Sequence, residues 1–320
     1  MASFHNQESA ALSCEDLQTV AERAQALLEE GLDLAAEHRF GRAVQKALRA
    51  ADLFEVANDK LRRARALAYA SQFCVGARHY RAAAYYLWKG LRSVGKDEYA
   101  LRSYFWGTLA RTYRELWALN RAEKYYRLYL KSSMEEKNAE QVGYAFLGLG
   151  LNYYYLGDYQ KSLEYSEKAL RISESLEGKP EFQFSAKLNV ACGYNGLGQH
   201  AKALSMLEPL LAEDNSDCSY LAMCRAYHEL AKTYLYLRDS GRYKEARLKA
   251  GEYAILSRDF AELGRMSMLD AEAYRAHRQN RKAVQTLRKA LVVFRNHGTL
   301  KELRRAENLL MSWMKGGDDG

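Results

Sequence analysis

The stretch FLGLGLNYYYLGDYQKSLEYSEKAL, residues 146–170, decides the fold. Leu149, Gly150, Tyr153 and Leu156 follow the three-to-four spacing of one helical face. Gly157 and Asp158 then break the helix, because glycine readily takes the positive-φ conformation that follows a helix end. A second helix is predicted from Tyr159, with Leu163, Ser166 and Leu170 on its packed face. Gly150, Ser162 and Ala169 are small enough to let two antiparallel helices approach closely.

Working outward, the small residue of this stretch returns about every forty positions. Gly31, Ser71, Ala110, Gly150, Ala191, Ala231 and Ala271 lie 40, 39, 40, 41, 40 and 40 residues apart. Three positions after each stand Leu34, Cys74, Tyr113, Tyr153, Tyr194, Tyr234 and Tyr274. The tyrosines are long enough to fill the space between neighbouring helix pairs. Self-similarity at this period marks a stack of repeats, each burying its apolar face against the next. Only two prolines occur and Leu, Ala, Arg, Glu and Lys are abundant, so the chain reads as all-α.

The repeat resembles the tetratricopeptide repeat. Leu149-Gly150-x-x-Tyr153, Gly157-x-Tyr159 and Ala169-Leu170 match it, and the set recurs around Ala110 with Tyr113, Ala122 and Tyr126. It returns as Ala191, Tyr194, Gly198 and Ala203, and as Ala271, Tyr274, Ala283, Leu287 and Ala290. The expected fold is a right-handed α-solenoid of about seven helix-turn-helix repeats over residues 13–298. A C-terminal capping helix is expected at 299–315, on Leu300, Leu303, Ala306, Leu310 and Trp313. Residues 1–12 and 316–320 are expected to be flexible tails, and Ser13 to Asp16 to form a capping box. Repeat six is read with three inserted residues, since Tyr234 lies seven positions before Gly241 where Tyr153 lies four before Gly157; its second half should then be shorter. Pro209 falls inside the second helix of repeat five and should kink it or end it early.

No apolar run approaches the ~20 residues of a membrane-crossing helix, and Met1 to Leu12 lack a basic start followed by an apolar stretch. The five scattered cysteines read as reduced thiols of a cytoplasmic protein. A net charge of +8 suits acidic peptides, acidic protein surfaces or nucleic acid, or solubility alone.

Catalytic chemistry finds no foothold. Gly90 to Asp97 nearly spells a phosphate-binding loop, yet Asp97 stands where a magnesium-ligating Ser or Thr belongs, and no strand precedes it. His228-Glu229 opens like a zinc-protease helix, but Lys232 replaces the second histidine. Cys224 and His228 lie one turn apart with only Cys218 as a further ligand, short of the about four that structural zinc requires. The chain therefore reads as non-enzymatic, without metal or cofactor.

The resemblance implies that first helices line a concave surface. Carried onto this sequence, the groove positions are Arg65, Gln72, Tyr104, Arg111, Arg114, Tyr144, Tyr154, Tyr155, Ser185, Asn195, Arg225, His228, Lys232, Tyr236, Arg265 and Arg275, with Glu115 and Glu272 as the main acids. Arginine offers forked donors to carboxylates, and tyrosine supplies contact area at low entropic cost. Asn195 has the amide to hold an extended backbone. The expected partner is a peptide or protein segment with acidic groups or a free C-terminus. Arg62-Arg63-x-Arg65 and the run from Arg278 to Lys282 read as solvated faces, so nucleic acid is a minor reading.

The forty-residue period, with turns such as Asn58-Asp59 and Lys96-Asp97, is similar to the sensor domains of bacterial peptide-pheromone receptors of the Rap type. That likeness implies a peptide-responsive regulator, in which a peptide in the groove changes the superhelix pitch. Many such receptors carry an N-terminal helix-turn-helix or helical effector bundle; about fifteen residues precede the repeats here, so a DNA-binding role would need a partner or a missing domain. The alternative is a scaffold, adaptor or chaperone for a larger complex.

Overall fold

A computed structural model describes residues 14–213, 215–298 and 300–315. Among these the chain forms fifteen α-helices and no strand. In order they are α1 (Cys14–Ala36), α2 (Phe40–Val56), α3 (Lys60–Gly76), α4 (Tyr80–Leu91), α5 (Tyr99–Glu115), α6 (Leu119–Glu135), α7 (Ala139–Leu156) and α8 (Tyr159–Glu174). There follow α9 (Pro180–Gly196), α10 (His200–Ala212), α11 (Tyr220–Tyr236), α12 (Ser240–Leu256), α13 (Ala261–Ala276), α14 (Asn280–His297) and α15 (Leu300–Lys315). The first fourteen pair as seven successive helix-turn-helix units, the repeating element of an α-solenoid. All seven recurrent small residues, Gly31 to Ala271, sit in first helices and are buried. The chain divides into two compact units, up to Phe105 and from Trp106 onward, the division falling within α5. Ser13 of the expected capping box, the expected tails and Thr299 lie outside the described residues.

The connections explain the period. A residue in the left-handed region recurs at His38, Asn58, Arg78, Trp117, Lys137, Gly157, Gly178, Gly198, Arg238, Arg258 and Arg278, at close to twenty-residue intervals except before Trp117 and Arg238, where the interval doubles. At most of these the backbone closes a Schellman turn: the Gly157 N–H donates to Tyr154 O at 3.2 Å and the Asp158 N–H to Tyr153 O at 3.1 Å. The next residue already caps the following helix. Asp59, Asn138, Asp158 and Asp239 accept the N–H of Arg62, Gln141, Lys161 and Arg242. The forty-residue repeat is thus two helices, joined within each hairpin by a turn of two or three residues and to the next hairpin by three to seven.

This corrects the reading of repeat six. Arg238, not Gly241, occupies the left-handed turn position, four residues after Tyr234, as Gly157 follows Tyr153. Gly241 lies inside α12, which has 17 residues and is not shortened. No insertion exists; a non-glycine residue held at positive φ by two backbone hydrogen bonds hid the turn. Pro209 acts as expected in ending its helix early, since α10 runs 13 residues and stops at Ala212, three beyond the proline.

Packing follows two rules. Helical glycines receive rings: a Cβ on Gly148 of α7 would fall 2.1 Å from the buried Tyr126 ring, and one on Gly90 of α4 2.7 Å from Phe105. Gly90 is therefore a packing socket, not part of a phosphate loop. The tyrosine three after each small residue is covered by a cation eight positions later: Arg121 over Tyr113, Lys161 over Tyr153, Lys202 over Tyr194, Arg242 over Tyr234 and Lys282 over Tyr274, at 5.1 to 6.0 Å. Two of these hydroxyls reach the second helix of the preceding repeat. Tyr153 donates to Glu123 at 2.7 Å and Tyr234 to Glu208 at 2.6 Å.

Candidate functional site

The first helices α5, α7, α9, α11 and α13 of the second unit carry most of the expected binding residues, and their side chains divide into two sets. Arg111, Tyr144, Arg225 and Tyr236 are exposed, and among the described residues no carboxylate pairs with Arg111. Ser185 and Arg275 are half-buried, with the Arg275 guanidinium 4.9 Å above the Trp313 ring. Tyr144 leans on Phe182, ring centroids 4.6 Å apart, and Tyr236 stacks on His200 at the same distance. In the first unit Arg65, Gln72 and Tyr104 are exposed on α3 and α5.

The other set forms a network turned in on the protein itself. The Asn195 amide nitrogen donates to Glu229 at 2.9 Å and to the Thr233 hydroxyl at 2.8 Å, while its oxygen lies 3.0 Å from His200 Nδ1. Its amide, expected to hold an extended backbone, is engaged here with groups of the protein itself. Lys232 Nζ donates to Glu229 at 3.1 Å and to the Tyr154 hydroxyl at 2.7 Å. Burial disfavours the Lys232 charge, but Glu229 and Tyr154 outweigh it and push its pKa well up. Arg114 is likewise drawn inward, donating to the Tyr126 hydroxyl at 2.9 Å and lying 3.6 Å from Glu115.

A second knot joins α11, α13 and α15. Glu262, 1% exposed, faces Arg265 and lies 3.3 Å from Arg225 Nε. Burial raises its pKa, yet the two arginines prevail and hold it at about 2. Arg265 also pairs with Glu302 of α15. Beside it Lys301 Nζ sits 3.6 Å from the centroid of the Tyr155 ring, with Trp117 on the same tyrosine at 5.8 Å. Burial pushes the Tyr155 phenol up, but Lys301, Arg265, Arg114 and Arg225 outweigh it and bring it down. His228 is half-buried; burial lowers its pKa, and its Nδ1 has no hydrogen-bond partner.

Glu229, Glu262, Lys301 and Glu302 belong to this face and escaped the sequence reading. Glu229 had been absorbed into a zinc-motif comparison, and α15 read only as a cover for repeat seven. It does cover that repeat, through Ala306 and Trp313 against Met268, Ala271 and Leu287. No period points from residue 301 to residue 155. The acids leave the face a paired network of both signs. Among the described residues no three of His, Cys, Asp and Glu gather as a metal site, and no helix is long and apolar enough to cross a membrane. Cys224 donates to Ala250 O at 3.3 Å, and burial pushes its thiol up to about 12.

These hairpins, their buried small residues and the Schellman turns agree with the family comparison: a tetratricopeptide repeat model matches residues 141–212. Residues 141–212 are of the tetratricopeptide-repeat kind. Solved structures share its fold over most of its length. The apo form of RapI is 14% identical with a TM-score of 0.73, covering 85% of this chain and 97% of its own. A Rap protein complexed with Competence and Sporulation Factor is 13% identical at a TM-score of 0.60, with 94% and 98% coverage. The apo quorum sensor NprR from B. thuringiensis is 16% identical at 0.61, with 94% and 92% coverage. No curated protein matches the sequence.

Proposed function

We propose that this protein is a non-enzymatic recognition module that binds a peptide or protein segment along the first-helix face of its repeats, as a peptide-responsive regulator. The observation that carries this reading is the buried network of Lys232, Glu229, Asn195, Arg265 and Glu262. Burying paired charges gains little stability over apolar side chains of similar size. A face built this way instead holds a defined polar surface, on which exposed Arg111, Tyr144, Arg225 and Tyr236 stand in fixed positions. The likeness in fold to a Rap protein complexed with Competence and Sporulation Factor and to the NprR quorum sensor supports the same reading.

The partner's chemistry follows from Arg111. An exposed guanidinium with no carboxylate of its own suits an acidic side chain or a free C-terminus. Its neighbouring cations are already paired, which disfavours a polyanion such as nucleic acid. The test is selection from a displayed library of random twelve-residue peptides against the full chain, with Arg111→Glu as the counter-target. Enrichment of carboxylate-bearing peptides that bind the wild type and not the variant is the expected result. Peptides that bind both equally, or no enrichment at all, would overturn the assignment.

A further inference from the structure

The first-helix face of the second unit already holds a helix, the chain's own α15. Its apolar side packs ordinarily, Ala306 and Trp313 buried on α13 and α14. Its opening turn does something a terminal cover does not require. Lys301 and Glu302 are 6% and 3% exposed, among the few charged residues so deeply buried in the described chain. Lys301 crosses to α7 and places its ammonium on the Tyr155 ring; Glu302 reaches α13 and pairs with Arg265. A helix needed only to shield repeat seven would keep these side chains in water, because burying a Lys and a Glu costs several kcal/mol unless each finds a partner.

We infer that α15 is a bound occupant of the first-helix face, and that the surface beneath it is a docking site for an amphipathic helix bearing a lysine followed directly by a carboxylate. The Lys301 ammonium meets an aromatic face and the Glu302 carboxylate meets a guanidinium; both are portable chemistries that a helix from another chain supplies equally well. α15 is suited to exchange. Apart from Ala306 and Trp313 its apolar residues are only partly buried, and Leu300, Met311 and Met314 are exposed. The inference rests on the first-helix face being the binding surface: an external helix of this chemistry must displace α15 to enter. Tethering gives α15 an effective concentration near the millimolar range, which keeps it bound until a tighter competitor arrives.

The probe is a fluorescent peptide of residues 300–315, capped at both ends, titrated into the full chain. One sample is wild type; the other carries Lys301→Ala with Glu302→Gln, changes that leave Arg265 paired with Glu262 and keep Ala306 and Trp313. The double variant is expected to bind the peptide at least tenfold more tightly than wild type, because its own helix no longer competes. Its α15 amides should exchange with solvent at least tenfold faster, while those of α7, α11 and α13 keep their wild-type rates. Equal binding by both proteins, binding by neither, or unchanged α15 exchange would overturn the inference. The readouts do not involve Arg111, so failure of the peptide selection with success here would remove the acidic-peptide reading alone.

Discussion

Replacing Gly150 by alanine adds one methyl group where two helices are closest. An ideal Cβ there falls 2.5 Å from Ser166 Oγ and 3.2 Å from both Ser162 O and Ser166 N. The hydroxyl is already committed, donating to Ser162 O at 2.7 Å, and rotating it away forfeits about 1 kcal/mol. The backbone atoms of α8 cannot rotate away; they have to retreat, and overpacking of this kind costs about 1–3 kcal/mol. Alanine returns about 1 kcal/mol in helix propensity. The net is a destabilisation of about 1–3 kcal/mol. At about 2–4 °C per kcal/mol for a chain of this size, the thermal midpoint by circular dichroism should fall by about 2–12 °C. Gly41→Ala is the control: it is also helical, in α2, but a Cβ there meets nothing within 4 Å. That variant should melt at or slightly above wild type. If Gly150→Ala melted as high as Gly41→Ala, the close approach of α7 to α8, and with it the assigned role of the recurrent small residue, would be refuted.

Two further outcomes are expected. Arg238 holds φ 60 at the turn between α11 and α12, so Arg238→Gly should stabilise the protein by about 0.5–1 kcal/mol in urea unfolding; a loss of stability would contradict the corrected register of repeat six. Acid should weaken the fold in two stages. Burial lowers the His228 and His200 pKa values, so below about pH 6.5 the unfolded chain takes up protons that the folded one refuses, and stability falls. The Glu262 carboxylate, held at about 2 by Arg265 and Arg225 against the push of burial, contributes stability fully present above about pH 4.5 and lost as pH falls towards 2. Urea midpoints from pH 8 to pH 3 measure both; midpoints that rise between pH 7 and pH 5 would refute the first stage, and His228→Gln should shrink it.

The exposed members of the expected binding set, Arg111, Tyr144 and Tyr236, were legible because they sit at fixed offsets from a recurrent small residue. The turn of repeat six was not, because Arg238 takes a conformation usually left to glycine, and only its backbone hydrogen bonds reveal it. Arg114 and Asn195 turn inward, towards Tyr126 and Glu229, since which way a long polar side chain points depends on partners more than thirty residues away or on the adjoining helix.

By itself the sequence determined the all-helical class, the helical hairpin as the repeating unit and its period. Those follow from interactions between residues close in the chain, or one repeat apart, which leave a periodic trace. Only the tertiary structure decided that the face is a paired network of both signs and that α15 lies on it. The pairing of Lys301 with Tyr155 and of Glu302 with Arg265 joins residues that share no period. Their contact exists because the helices between them bring those side chains together, and nothing local records it.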